Sequence, residues 1–289
     1  MSDERATAAT GQRILRSAPV RLVLGLAMVI AGTVAAQLAD KALHLPALVA
    51  NGIAIAACVG SYVAFVRLIE RRAVVELGRA GAAADMARGA AVGAALFCAT
   101  MAILTLVAVA HIARGDGWRA LLLQLVAALT AAFAEEILVR GVFFRIVAES
   151  LGSLIAVALS AGIFGVLHAF NPGATLVSTL SIAFEAGVLL AAAYVYSGRL
   201  WLPIGLHFAW NFTEGGVFGA SVSGHPAHGL FLSTFDGPTL LSGGAFGPEA
   251  SIVAVTLCCA TGVALLLAAG RRGRIVAPFW RRAARQDQR

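Results

Sequence analysis

The chain has 289 residues, is 60% hydrophobic and only 13% charged, and carries a formal net charge of +7. Soluble domains are about 25% charged, so this composition excludes an ordinary soluble protein and points to an all-α, polytopic membrane bundle. The basic excess is almost all arginine, spread over termini and loops, which argues for a membrane lipid surface and against a nucleic-acid partner.

Residues 1–19 are polar and basic and read as a cytoplasmic tail. The apolar run that follows is too long for a signal-peptide core and lacks a clear cleavage site, so it reads as a retained helix. Eight spans are expected, at 20–39, 45–66, 89–110, 119–148, 152–170, 175–197, 200–217 and 250–270. Each is near the roughly 20 residues that a bilayer requires. Residues 67–88 read as an interfacial linker. Span four is long because an amphipathic continuation with Arg140, Arg145 and Glu149 follows its apolar half. The chain thus divides into N-terminal helices with their linker (20–117), a core (118–215), an external Gly/Ser/Pro-rich loop (216–249), and a last helix with a basic tail (250–289).

Arginine placement sets the expected orientation. With the N-terminus in the cytoplasm, 19 of the 22 Lys and Arg fall on inside segments. Lys41, Arg114 and Arg119 are the exceptions, and 219–249 has neither residue type. Both termini are therefore expected inside, in a cell inner (plasma) membrane of a prokaryotic source.

Several motifs carry little. Cys58, Cys98, Cys258 and Cys259 lie in apolar spans without zinc-ligand spacing and read as structural thiols. His225 and His228 form a His-x-x-His pair in an expected flexible loop, where metal binding is the weaker reading. Gly219-Ala220-Ser221 lies in a polar loop, and Gly115-Asp116-Gly117 is a turn without a second intramembrane aspartate.

Four polar clusters interrupt the apolar spans: Glu135-Glu136 with Arg140, Phe164 with His168, His207 with Asn211, and Glu185. Ionisable groups at membrane depth are costly and are read first as a working site. At 1.5 Å per residue, Glu135, His168, His207 and Asn211 lie about 20, 24, 12 and 18 Å from the cytoplasmic helix ends. Glu185 falls at the same level. Residues four apart share a helix face, so Glu136 and Arg140 are expected to pair, and His207 and Asn211 to point at one atom. Glu135 points elsewhere and suits a general base. Taken singly, each cluster has a bland reading: a packing ion pair, a satisfied core histidine, interhelical hydrogen bonding, a neutral carboxyl. Glu214 lies on the His207 face but near a span end, and reads as interfacial. The matched depths favour hydrolysis within the membrane.

The string Glu135-Glu136-x-x-x-Arg140-Gly141, then Phe164-x-x-x-His168, then His207-x-x-x-Asn211, resembles the CPBP family. These are the CAAX prenyl protease 2-like, or Abi, intramembrane proteases. Leu200-Trp201-Leu202-Pro203 also matches, and the resemblance covers about 118–215. It implies an endopeptidase acting on a membrane-associated peptide or protein, with its site open toward the cytoplasmic side. In that picture Glu135 and His168 activate water, His207 and Asn211 steady the oxyanion, and Glu136 and Arg140 hold their helix in register. Zn2+ on Glu135, His168 and His207 and a metal-free mechanism both fit the residues. The His-x-x-x-Asn face, which reads as a donor pair, favours the metal-free one. The competing readings are a non-catalytic scaffold or bacteriocin self-immunity protein that keeps the fold, and a proton-coupled transporter.

Overall fold

The computed structural model describes residues 17–115 and 117–281. Most of the two tails, with Arg5, Arg13, Arg16, Arg282, Arg285 and Arg289, and the centre of the turn at Asp116 lie outside the described residues. In chain order the elements are α1 (Ala18–Leu43), α2 (Ala47–Ile69), α3 (Ala82–Leu106) and strand β1 (Ala110–Arg114). There follow α4 (Trp118–Leu151), α5 (Ser153–His168), α6 (Leu176–Ser197), α7 (Trp201–Asn211), strand β2 (Phe231–Phe235) and α8 (Ile252–Arg271).

Every expected span is helical, and the fold is that of a polytopic helical membrane protein. Among the described residues, six helices are long and apolar enough to cross a membrane: α1, α2, α3, α4, α6 and α8. The other two are shorter. Helix α5 has 16 residues, and α7 has 11 followed by six in π geometry over Phe212–Val217. Helix α3 begins at Ala82, inside the expected linker, of which a single 3₁₀ turn at Val75–Leu77 remains.

Wider π turns recur in the apolar helices. They occupy Phe65–Ile69 in α2, Ile137–Phe144 in α4, Ala183–Val188 in α6, and Phe212–Val217 after α7. Such turns are rare and collect at functional positions. Three of the four hold or adjoin the polar clusters.

The described residues divide into two compact units. The first comprises 17–75, 133–156 and 276–281. Here α1 and α2 form a hairpin in which close approach is set by small residues. A Cβ on Gly25 would lie 2.7 Å from Val142 and 2.8 Å from Phe65. Tyr62, fully buried, donates its hydroxyl to the Gly141 carbonyl at 3.3 Å. At one end of this unit Glu70 gathers three guanidinium groups: Arg21 at 2.5 Å, Arg145 at 2.8 Å and Arg72 at 2.9 Å. Glu149 joins through Arg21 and Arg145.

The second unit comprises 76–115, 117–132 and 157–275. Its backbone is the pairing of α3 with α7, which depends on glycines facing bare backbone. A Cβ on Gly89 would lie 2.1 Å from the Leu202 carbonyl oxygen, one on Gly93 2.2 Å from that of Leu206, and one on Gly205 2.1 Å from that of Met86. Small residues four apart let membrane helices approach this closely, where lipid-like packing alone gives little attraction. Helix α8 lies along α6, with Cys258 donating to Glu185 at 3.5 Å. Strands β1 and β2 pair antiparallel, from Ala110 opposite Phe235 to Arg114 opposite Phe231.

The segment after α7, expected as an open loop, is folded. It holds β2 and a short helical turn at Thr239–Ser242, and Phe246, Glu249 and Ala250 are buried. It folds back because its glycines permit tight turns: Gly247 has φ +130°, and a Cβ there would lie 2.3 Å from the Ser221 carbonyl oxygen. His225 and His228 within it are exposed.

Candidate active site

In the second unit, a pocket with an empty volume of about 340 Å³ is lined by Phe164, His168, Glu185, His207, Trp210 and Asn211, among others. Ser223 and Glu249 reach it from the segment that follows α7. Two histidines, an amide and two carboxyls thus converge on one concavity, and the rest of its wall is apolar, as small-molecule and peptide sites usually are.

The orientation of each group has a local cause. His168 is the last residue of α5, and its Nδ1 donates to the Phe164 carbonyl one turn back at 2.8 Å. A carbonyl can only accept, so Nδ1 carries the hydrogen, and a neutral ring keeps its lone pair on Nε2. The Phe164 ring lies between the two imidazoles, with centroids 4.6 Å from His168 and 6.1 Å from His207. It fixes both rings and keeps their surroundings apolar. His207 is 6% exposed and Asn211 half-buried, one turn apart on α7. Pro203, early in α7, needs no hydrogen-bond donor there because the first turn has no partners for one.

Glu185 sits within the π turn of α6, 2% exposed, and accepts from Cys258. Glu214, expected to be interfacial, is instead fully buried in the π turn that follows Asn211. The reason is the fold-back of the following segment: Glu249 and the Gly247 backbone cover it. Glu249, Glu185 and Trp210 are its electrostatic neighbours. Glu249 itself is 3% exposed and was not a candidate from the sequence. Burial pushes its carboxyl above the ordinary value, while hydrogen bonding from Ser223 pulls it back.

Glu135, Glu136 and Arg140 belong to the first unit. Arg140 donates Nη1 to Glu136 at 2.9 Å, and both side chains are fully buried, so the i, i+4 pair expected from the spacing is present. The charge of Glu135 also acts on Arg140, and Glu135 itself is half-buried. A buried guanidinium is tolerated only with such compensation. Because Glu136 is held by Arg140, the neighbouring carboxyl of Glu135, about 100° around the helix, is directed elsewhere.

A metal needs at least three converging donors. Among the described residues, no three His, Cys, Asp or Glu side chains are placed to hold one ion.

Residues 117–213 match the family model Rce1-like, type II CAAX prenyl endopeptidase Rce1-like. The match covers about a third of the chain, and that segment is similar to the Rce1-like family. The Rce1-like segment takes in Glu135, Glu136, Arg140, Phe164, His168, Glu185, His207 and Asn211, and ends one residue before Glu214. Glu249 lies well beyond it. No curated protein and no solved structure matches the chain.

Proposed function

We propose that the protein is an intramembrane endopeptidase that hydrolyses a peptide bond of a membrane-associated peptide or protein. The observation that carries this reading is the pocket in which His168, His207 and Asn211 meet, within the segment matched by an endopeptidase family. In this mechanism Glu135 takes a proton from water, and His168, through Nε2, orients that water. The hydroxide oxygen adds to the scissile carbonyl carbon, and the carbonyl π electrons move to oxygen. His207 and Asn211 donate hydrogen bonds to that oxyanion, where charge develops and water is scarce. The oxyanion then collapses, the C–N bond breaks, and the proton held by Glu135 passes to the departing amine. Glu136 and Arg140 hold α4 in register, Phe164 forms the wall, and Glu185 shapes the floor.

The same reading assigns the chain to a prokaryotic inner (plasma) membrane as a multi-pass protein, with both termini cytoplasmic. Prenyl specificity is not part of it. The test is incubation of the purified, reconstituted protein with an internally quenched apolar peptide, with products read by mass spectrometry. Two fragments summing to substrate plus one water, formed equally with and without chelator, are expected. No cleavage across a varied peptide panel contradicts the reading. Cleavage abolished by chelator and restored by zinc contradicts its metal-free form.

A further inference from the structure

We propose that the pocket around His168 and His207 faces the non-cytoplasmic side of the membrane, so that its substrate is a peptide segment presented from outside. The chemistry rests on the endopeptidase reading above. The direction rests on the second unit alone.

Hydrogen bonds tie the loops of that unit into two poles. At one pole β1 pairs with β2, Asn171 donates its amide to the Ser223 carbonyl at 3.0 Å, and Gly224 donates to Phe246 at 2.6 Å. At the other, Trp201 donates to the Gly78 carbonyl at 3.0 Å, Leu200 donates to Glu76 at 3.0 Å, and Arg199 bonds Ala80 and Asp85. Arg272 lies there over the Tyr196 ring, 4.2 Å from its centroid. Helices α3, α6, α7 and α8 each run from one pole to the other.

The poles differ in charge. The second carries Arg79, Arg199, Arg271, Arg272 and Arg274 in short loops and helix ends. The first has Arg114 and, in the first turn of α4, Arg119, while 218–251 has Asp236 and Glu249 but no Lys or Arg. Short loops rich in arginine stay on the cytoplasmic side. The second pole is therefore cytoplasmic and the first external.

The pocket belongs to the external half. It takes Ser223 and Glu249 from loops of the external pole and no residue from the arginine pole. His168 is the external end of α5, and Glu185 is the tenth residue of α6 counted from that side. The direction is opposite to the one that the family resemblance implied. A translocated peptide, or the external flank of a membrane-anchored one, reaches this site without crossing the bilayer.

The test combines labelling with cleavage. Ser223→Cys, Asp236→Cys and Arg271→Cys are expressed in cells and treated with a membrane-impermeant maleimide, with the unaltered chain as blank. Right-side-out and inverted vesicles then receive an internally quenched apolar peptide bearing a charged, impermeant fluorophore, with His168→Ala as control. Labelling of Ser223→Cys and Asp236→Cys in intact cells is expected, with Arg271→Cys reacting only after permeabilisation. Peptide cleavage is expected in right-side-out vesicles and lost in His168→Ala. Labelling in the reverse sense, or cleavage only by inverted vesicles, overturns the proposal. Labelling as expected with cleavage by neither population overturns the peptidase reading and the substrate assignment with it, while the direction of the pocket stands.

Discussion

Nδ1 of His168 donates to the carbonyl oxygen of Phe164, 2.8 Å away, and that single bond decides which ring nitrogen is left as acceptor. With Nδ1 committed as donor, the neutral imidazole offers Nε2 as its acceptor. In the proposed mechanism, removing the ring removes the group that orients water. His168→Ala is expected to lower kcat by about 10²–10⁴, the range for a positioned acid–base group, with the melting temperature little changed. Steady-state kinetics beside thermal unfolding of the same sample check this. A kcat within a few-fold of the parent sinks the assignment.

His207 and Asn211 lie one turn apart on α7 and both line the pocket. Donors aimed at a developing oxyanion act in the transition state and little in the ground state. Asn211→Ala is expected to lower kcat by about 10²–10³ while KM changes little. Asn211→Asp, which replaces the amide donor by a carboxylate, should be at least as damaging. A rise in KM at unchanged kcat would show that the pair binds substrate and does no more.

Arg140 and Glu136 are both fully buried and paired at 2.9 Å. Truncating one partner strands the other charge away from water, a loss of about 3–5 kcal/mol. Arg140→Ala is therefore expected to lower the unfolding temperature or yield strongly, and Arg140→Ala with Glu136→Gln should recover part of the loss. A double variant no better than the single one would mean that the pair does not act as a unit.

The side chain of Glu70 is 2% exposed among Arg21, Arg72 and Arg145. Burial alone would raise its carboxyl, but the charges and hydrogen bonds of Arg145 and Arg21 outweigh it and hold it below the ordinary value of 4.5. The unfolded chain then binds this proton more readily than the folded one. Stability from the cluster is complete above the unfolded value and is lost as pH falls through the lower folded value. Wild type should lose melting temperature on going from pH 7 to below 4, and Glu70→Gln should start lower at pH 7 and lose less. Parallel acid curves for the two proteins would contradict this.

Much of this was legible in the chain. Eight apolar runs announced eight helices, because a bilayer leaves the backbone no alternative to internal hydrogen bonding. The Glu136–Arg140 pair followed from spacing alone, as did the shared face of His207 and Asn211. What the sequence hid has physical causes. A π turn inserts a residue into a helix that is largely apolar around its circumference, so little periodicity breaks to betray it. Gly89, Gly93 and Gly205 matter only because a second backbone lies against each, which is a tertiary fact. Glu214 and Glu249 looked peripheral because one sits near a helix end and the other in a Gly/Ser/Pro-rich stretch. Both are buried by a fold-back that begins at tight turns such as Gly224 and Gly247, each with positive φ.

The central claim is that Glu135 removes the proton from the attacking water, and one measurement bears on it most directly. Initial rates of peptide cleavage by reconstituted wild type and Glu135→Gln, across pH and at matched folded protein, give the answer. Loss of at least about 10² in kcat, with the melting temperature of Glu135→Gln near that of wild type, is the expected result. Undiminished turnover by Glu135→Gln would contradict the account.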